Sequence, residues 1–313
     1  MRPSTAGEVE QIPTRWERRD ERFAAVDGES RVTRIAEGCR WSEGGTYVPA
    51  GRYFVWSDIP NDRLLRWDET SGVVSVFRSP AGYPNGSTLD QQGRLITCLH
   101  GKRQVVRTEH DGSLTVLADS YQGHRLNSPN DVVVHSDGSV WFTDPTYGIL
   151  SDYEGYQAEP EVGSQNVYRI DPVTGGCAAV LTDFDQPNGL AFSLDESRLY
   201  VVDSGRSHLR AFDVQADGSL TGGAVLAECT AGTFDGIRLD RAGRIWGGAA
   251  DGVHVLDPDG TLLGKLLLPE VVANVAFGGP RGNLLFASAS TSVYCLMLKV
   301  TGAPAVYASS PRV

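Results

Sequence analysis

Polar side chains with oxygen donors recur at one position of a repeated sequence phrase. SPNDVVVHSDGSVWFTD begins at residue 128, and QPNGLAFSLDESRLYVVDS repeats its pattern from residue 186. Each copy carries a polar anchor near its start, followed by two apolar runs separated by a turn. Six copies are present, and their anchors are Glu43, Asn85, Asn130, Asn188, Asp235 and Asn274. Carboxylates and carboxamides can hold a hard metal ion, and a carboxylate can also act as a base.

Four of these anchors form the expected metal site, namely Glu43, Asn130, Asn188 and Asp235. All four side chains would bind a metal through oxygen atoms. Oxygen ligands favour Ca²⁺ over zinc, which usually has nitrogen and sulfur ligands in proteins. The two carboxylates balance the charge of one divalent ion. Four protein oxygens leave about two to four positions of a calcium sphere for water or substrate. We therefore expect one divalent cation, Ca²⁺ by preference and Mg²⁺, Mn²⁺ or Zn²⁺ as alternatives, in an open catalytic site.

The spacing of the anchors predicts the fold that positions them. Successive anchors are separated by 42, 45, 58, 47 and 39 residues. Each interval holds two hairpins, as in VVVHSDGSVWFT and NVYRIDPVTGGCAAVLTDF, where β-branched and aromatic runs flank turn residues. Four antiparallel strands at such a period are typical of propeller blades. The sequence thus predicts an all-β, six-bladed β-propeller.

Neither alternative architecture accounts for the repeat. A doubly wound α/β fold needs amphipathic helices, and none is indicated after about residue 35. A β-sandwich gives no reason for six matched anchors. We place the propeller at residues 36–305, with an irregular or partly helical extension at 1–35 and a tail at 306–313.

Propeller geometry predicts where other polar residues lie. The first strand of a blade lines the central channel, so the anchors face one another. A hairpin of 14 or 15 residues would return Asp58, His100, Asp144 and Asp203 to the same face. The expected substrate-binding residues are Asn85, His100, Asp144 and Tyr147. For any one of these positions a structural role stays open, because Asn before Gly is a common turn residue and Asp at a strand end commonly caps a turn.

Composition excludes several partners. The 313-residue chain has a formal net charge of −11 and a pI near 5.0, which argues against binding nucleic acid. No stretch approaches the ~18 apolar residues of a membrane span, so no membrane partner is expected. Five scattered cysteines without a CxxC pair indicate neither a disulfide framework nor a zinc site. We expect a cytoplasmic protein whose partner is a small molecule.

The segments RLNSPND, TDPTYG, QPNGLAF and FDGIRLD resemble the gluconolactonase branch of the SMP-30/gluconolactonase family, six-bladed propellers that include regucalcin. The resemblance runs from about residue 35 to 300. It implies a divalent metal, often calcium, on Glu43, Asn130, Asn188 and Asp235. Two departures occur: Gly45 stands where the family usually has Pro, and Phe234 replaces the Pro common before the Asp.

The resemblance implies hydrolysis of sugar lactones such as D-glucono-1,5-lactone to the aldonic acid. A metal with open positions can polarise the lactone carbonyl. Asp235 is the expected catalytic residue, either as a base toward water or as a nucleophile that forms an acyl intermediate. Two other functions are alternatives: a phosphotriesterase-like metal hydrolase, and a propeller that binds a partner without catalysis.

Overall fold

Six antiparallel sheets surround a central channel in the computed structural model of the protein, which describes residues 10–26 and 30–304. The prediction of an all-β, six-bladed β-propeller with four-stranded blades is confirmed. Within each blade the strands that are consecutive in the sequence lie side by side from the channel outward and are joined by hairpins. Two sheets carry a fifth strand from the N-terminal segment.

The N-terminal segment contains β1 (Glu10–Ile12), β2 (Arg15–Arg18), a 3-10 helix (Glu21–Ala25) and β3 (Val32–Glu37). The first blade consists of β4 (Ser42–Val48), β5 (Tyr53–Asp58), a 3-10 turn (Ile59–Asn61), β6 (Arg63–Asp68) and β7 (Val74–Arg78). The second consists of β8 (Pro84–Leu89), β9 (Leu95–Leu99), β10 (Gln104–Thr108) and β11 (Leu114–Ala118). A small hairpin of β12 (Ser120–Tyr121) and β13 (His124–Arg125) follows.

The third blade consists of β14 (Val132–Val134), β15 (Val140–Asp144), a 3-10 turn (Tyr147–Ile149), β16 (Gln165–Ile170) and β17 (Cys177–Phe184). The fourth consists of β18 (Pro187–Phe192), β19 (Arg198–Asp203), β20 (His208–Val214) and β21 (Leu220–Glu228). The fifth consists of β22 (Ile237–Leu239), β23 (Ile245–Ala249), β24 (Gly252–Leu256) and β25 (Leu262–Leu267). The sixth consists of β26 (Val272–Gly278), β27 (Leu284–Ala289), β28 (Ser292–Met297) and the earlier strand β3.

The first hairpin of the third blade shows why these runs form strands. Val132 lies opposite Phe142 in the register of β14 and β15, and both side chains are fully buried. The turn between the strands places Gly138 at a φ of +87°, a conformation that favours glycine. Asp137 accepts a hydrogen bond from the Ser139 backbone N–H at 2.7 Å, which fixes the turn.

The apolar core lies between neighbouring blades. Trp56, Trp141 and Trp246 occupy the second strands of blades one, three and five and are fully buried. Phe54 of the first blade stacks on Phe286 of the sixth at a centroid distance of 4.4 Å. Because the apolar side chains are buried between the sheets, the channel face of the inner strands is free to carry polar residues.

Close contacts between successive blades shape the channel end of the inner strands. Gly86 donates a backbone hydrogen bond of 2.7 Å to the carbonyl oxygen of Asn130 in the next blade. A Cβ at Gly86 would lie 2.6 Å from the Cα of Asp131. Gly189 is packed in the same way, because its Cβ would lie 2.8 Å from the Cα of Gly236. The glycine after the anchor therefore lets the anchor of the following blade approach.

The N-terminal extension, which we predicted to be irregular or partly helical, contains a 3-10 helix and also three strands. β3 pairs with β28 and completes the sixth blade, so the boundary expected at residue 35 falls inside a strand. β1 pairs with β3, and β2 pairs with β25 at the edge of the fifth blade. The strands in these pairs are not consecutive in the sequence. No hairpin turn therefore marks these pairings in the sequence. The predicted tail at 306–313 lies outside the described residues.

All five cysteines are free thiols. Within residues 10–26 and 30–304, no helix is long and apolar enough to cross a membrane.

Substitution of Gly86 by Ala should destabilise the propeller, because the new methyl group would meet backbone atoms of the third blade that cannot move independently. Overpacking of this kind costs about 1–3 kcal/mol. Gly163→Ala is the matched control, since a Cβ there meets no atom within 4 Å and the residue has no positive φ. Urea unfolding of both variants checks the expectation, and equal midpoints would contradict it.

Candidate active site

A cavity of about 310 Å³ lies at one mouth of the channel. Five of the six anchors line it, and the sixth, Asn274, donates a hydrogen bond of 2.9 Å to Glu43. The lining residues are Trp41, Glu43, Asn85, Asn130, Tyr147, Glu154, Asn188, Ser204, Gly232, Thr233, Asp235, Ala250, Val271 and Val272. The structure thus brings together all four side chains that we predicted as metal ligands.

Two buried carboxylates give this cavity its electrostatic character. Glu43 is 3% exposed and accepts hydrogen bonds from the Asn274 amide and the Gly44 backbone N–H. Burial raises the pKa of Glu43 and of Asp235, and the charge of Glu43 raises the pKa of Asp235 further. Among the residues that the structure describes, no Arg or Lys lines the cavity. The site is therefore one that a cation or protons would stabilise.

A third carboxylate in the channel is already neutralised. Asp131 follows the anchor Asn130 and is buried, and its side chain pairs with the Arg238 guanidinium at 3.0 Å. Arg238 belongs to the fifth blade, so this ion pair joins the third and fifth blades across the channel. The unbalanced negative charge of the site thus comes from Glu43 and Asp235.

Carboxamide oxygens also lack partners at this end of the channel. Among the described residues, the Oδ1 atoms of Asn85, Asn188 and Asn274 are buried without a hydrogen bond. A buried acceptor left unpaired costs about 1–3 kcal/mol, so a ligand that contacts such oxygens would be stabilised. Two carboxylates beside carboxamide oxygens fit a hard divalent cation, as predicted.

This donor set differs from the usual protein metal clusters. The described part of the chain contains no group of three or more His, Cys, Asp or Glu side chains placed to hold a metal. Glu43 and Asp235 supply only two such ligands, and Asn130 and Asn188 would have to supply the rest.

Asn85 and His100, two of the expected substrate-binding residues, form a pair. The amide nitrogen of Asn85 lies 3.0 Å from His100 Nε2. Burial lowers the pKa of His100 to about 4, so its ring is neutral and can accept from Asn85. His100 does not line the cavity. It stands behind Asn85 and fixes the orientation of the amide.

Tyr147 lines the cavity and Asp144 does not. Burial, with the nearby charge of Asp235, raises the pKa of the Tyr147 phenol, so the hydroxyl stays protonated and can donate. Asp144 is fully buried and accepts a hydrogen bond of 2.8 Å from the Asn127 backbone N–H. Burial raises its pKa to about 7.

The aspartates that end the second strands share one structural task. Asp58 and Asp203 accept backbone hydrogen bonds from Arg40 and Asp185, in the way that Asp144 accepts from Asn127. Each donor lies three residues before the anchor of its own blade. Asp58 also pairs with Arg63 at 2.6 Å, and Asp203 pairs with Arg206 at 2.9 Å. These carboxylates hold the segment that enters the blade, and the structure does not bring them to the cavity.

Sequence reasoning missed Glu154, which lines the cavity from the segment between β15 and β16. This segment, residues 145–164, has no counterpart in the other five blades. The one available signal was the interval of 58 residues between Asn130 and Asn188, which is the longest of the series.

Several known proteins resemble this chain in sequence and in fold. The gluconolactonase of Zymomonas mobilis subsp. mobilis is 29% identical over 96% of this chain and 89% of its own length. Pentonolactonase XacC of Haloferax volcanii is 28% identical over 82% of this chain and 84% of its own length. The solved structure of the Xanthomonas campestris gluconolactonase XC5397 superposes with a TM-score of 0.87 at 36% identity, covering 92% of this chain and 97% of that one. The family model of the SMP-30/Gluconolactonase/LRE-like region matches residues 41–291, and the chain therefore belongs to this family.

Proposed function

We propose that this protein is a Ca²⁺-dependent lactonase that opens sugar lactones such as D-glucono-1,5-lactone to the aldonic acid. The observation that carries the proposal is the cavity with two buried carboxylates, carboxamide oxygens and no lining Arg or Lys. The substrate class comes from the relatives, two of which are a gluconolactonase and a pentonolactonase. The choice of calcium among divalent ions and a cytoplasmic location stay predictions.

Glu43, Asn130, Asn188 and Asp235 would hold the ion, because they are the lining residues that combine charge with carboxamide oxygens. When bound, calcium would supply a Lewis acid that polarises the lactone carbonyl. The contribution of the chain itself is to orient the substrate and to move protons. Asn85 and Tyr147 line the same cavity and would contact sugar hydroxyls as acceptor and donor.

Asp235 would take a proton from the attacking water. Its carboxylate lines the cavity in which the substrate and the attacking water would lie, and a carboxylate can accept a proton. Direct attack by Asp235 on the carbonyl carbon, to give an acyl intermediate, is the alternative chemistry for the same side chain.

The carboxylate-lined mouth favours a catalytic site over a surface for protein partners, because such a surface would be apolar or aromatic at its centre. The direct test of activity is acidification of a weakly buffered solution when D-glucono-1,5-lactone is added. We expect acid release above the spontaneous rate, loss of that release with a chelator, and recovery with Ca²⁺. A rate that the chelator leaves unchanged would contradict the metal requirement.

Glu43→Gln should weaken calcium binding at least tenfold, because it removes one of the two uncompensated charges while keeping the side-chain shape and an oxygen that Asn274 can contact. Titration calorimetry with CaCl₂ measures the affinity. Glu159→Gln is the control for a lost charge, since Glu159 is exposed and does not line the cavity. Equal affinities in the two variants would remove Glu43 from the ligand set.

Asp235→Asn should keep much of the calcium affinity and lose turnover. The amide keeps an oxygen and nearly the same volume, but it cannot act as a base, and loss of a general base costs about 10² to 10⁴ in rate. The comparison uses kcat at saturating Ca²⁺, with calorimetry on the same protein. A variant that retains more than about a tenth of the wild-type kcat would exclude Asp235 as the base.

A further inference from the structure

A long connection of the third blade crosses the mouth of the channel. We call residues 145–164 the crossing loop. Tyr153 of this loop donates a hydrogen bond of 3.2 Å to the Arg40 carbonyl oxygen of the first blade's entry segment, and the Arg40 guanidinium lies 5.0 Å from the Tyr153 ring centroid. Tyr156 packs edge-on against Tyr83, which enters the second blade, with a centroid distance of 5.2 Å. The loop is therefore held at blades one and two.

The crossing loop is also ordered by contacts within itself. Ala158 donates a backbone hydrogen bond of 3.0 Å to the carbonyl oxygen of Ile149. Gly155 packs against Gly148, since a Cβ at Gly155 would lie 3.1 Å from the Gly148 carbonyl carbon. These contacts place the residues between Tyr153 and Tyr156 over the cavity.

Glu154 is the residue that the crossing loop presents to the site. Its side chain lines the cavity and is 21% exposed, and its Oε2 lies 4.0 Å from His100 Nδ1 of the second blade. In a ring of six blades the second stands opposite the fifth, which carries Asp235. Glu154 thus enters the cavity from the side of the second blade, whereas Asp235 belongs to the fifth.

The surroundings of Glu154 favour the protonated form of its carboxyl group. Burial raises the pKa of Glu154 to about 7. The nearest ring, His100, is neutral because burial lowers its pKa to about 4. A carboxyl group that holds its proton near neutral pH can act as an acid.

Lactone hydrolysis needs such an acid at a second position. The ring oxygen of a sugar lactone leaves as an alkoxide, and alcohols, like water, are very weak acids, so the alkoxide is a poor leaving group without a proton. We propose that Glu154 is the general acid that protonates the departing ring oxygen, an inference that rests on the proposed lactonase function.

The hydrolysis balances when Asp235 begins as a carboxylate and Glu154 begins as a protonated carboxyl group. Asp235 accepts a proton as the water oxygen bonds to the carbonyl carbon. The bond between that carbon and the ring oxygen then breaks, its electron pair stays on the ring oxygen, and the proton of Glu154 passes to it. Solvent returns a proton to Glu154 and takes one from Asp235, so the net reaction adds one water to the lactone.

Dependence on the leaving group tests this role. In dihydrocoumarin the leaving group is a phenol, which ionises near pH 10 and needs far less help from an acid than an alkoxide. We expect Glu154→Gln to lower kcat/KM for D-glucono-1,5-lactone about 10²-fold or more, and that for dihydrocoumarin less than about tenfold. Glu159→Gln, an exposed position of the same crossing loop, should leave both values near those of the wild type.

Equal losses on the two lactones in a folded Glu154→Gln protein would overturn the assignment, because a purely structural role would affect both substrates alike. If Glu154→Gln does not fold, Glu154→Asp enters the same comparison, with a larger loss on D-glucono-1,5-lactone expected. A wild-type protein that hydrolyses neither lactone would reject the proposed function itself. If the wild type is active and Glu154→Gln loses kcat/KM equally on both lactones, only the role of Glu154 is rejected.

Isotope exchange answers the same question if the wild-type protein does not accept dihydrocoumarin. In oxygen-18-labelled water, a variant that cannot expel the ring oxygen returns part of its intermediate to labelled lactone. Mass spectrometry measures the amount of labelled D-glucono-1,5-lactone recovered for each amount of gluconate formed. We expect this ratio to be higher for Glu154→Gln than for the wild type. An unchanged ratio would contradict the acid role.

Discussion

The channel mouth depends on close contacts in which an anchor meets the glycine that follows the anchor of the preceding blade, as happens at Asn85, Asn130, Asp235 and Asn274. Gly86 and Gly189 show this contact directly, since no side chain would fit where the next blade's backbone passes. The contact draws the inner strands toward the axis and so places polar side chains of different blades around one cavity. In the four repeats that begin with an anchor followed by glycine, the two residues therefore act as one unit, in which the anchor faces the cavity and the glycine makes room for the neighbouring blade.

That convergence has an electrostatic cost that shapes the chemistry. Glu43 and Asp235 come together in a buried place without a cation from the protein, while the neighbouring Asp131 is neutralised by Arg238. A cluster that served stability alone would be expected to pair all three carboxylates, because an uncompensated buried charge destabilises the fold. Under the proposed function, the retained imbalance would instead give the site its affinity for a divalent ion, which would balance the charge of the two carboxylates.

The sequence was sufficient to predict the blades and the four candidate ligands, because both are encoded locally and repeated. Turn residues and apolar runs specify each hairpin, and the anchor holds the same place in every copy. The closing strand at Val32–Glu37 was not predictable in this way, since its partner Ser292–Met297 lies at the other end of the chain. The cavity and the Asn127 backbone lie at the same end of the strand that carries Asp144. Strand periodicity therefore could not show which of the two the Asp144 side chain contacts, and the structure shows that it accepts a hydrogen bond from Asn127.

A sixfold repeat supplies equivalent groups around an axis, but a reaction needs different groups on different sides of the substrate. The repeat can therefore account for the proposed ligands and for the proposed base Asp235, which is itself an anchor. It cannot account for Glu154, which comes from the crossing loop of the third blade and is held over the first and second blades by Tyr153 and Tyr156. The insertion breaks the symmetry of the channel mouth. Under the proposed mechanism, the group that gives the reaction its direction would thus come from the segment that departs most from the repeat, while the repeat supplies the rigid frame on which that segment rests.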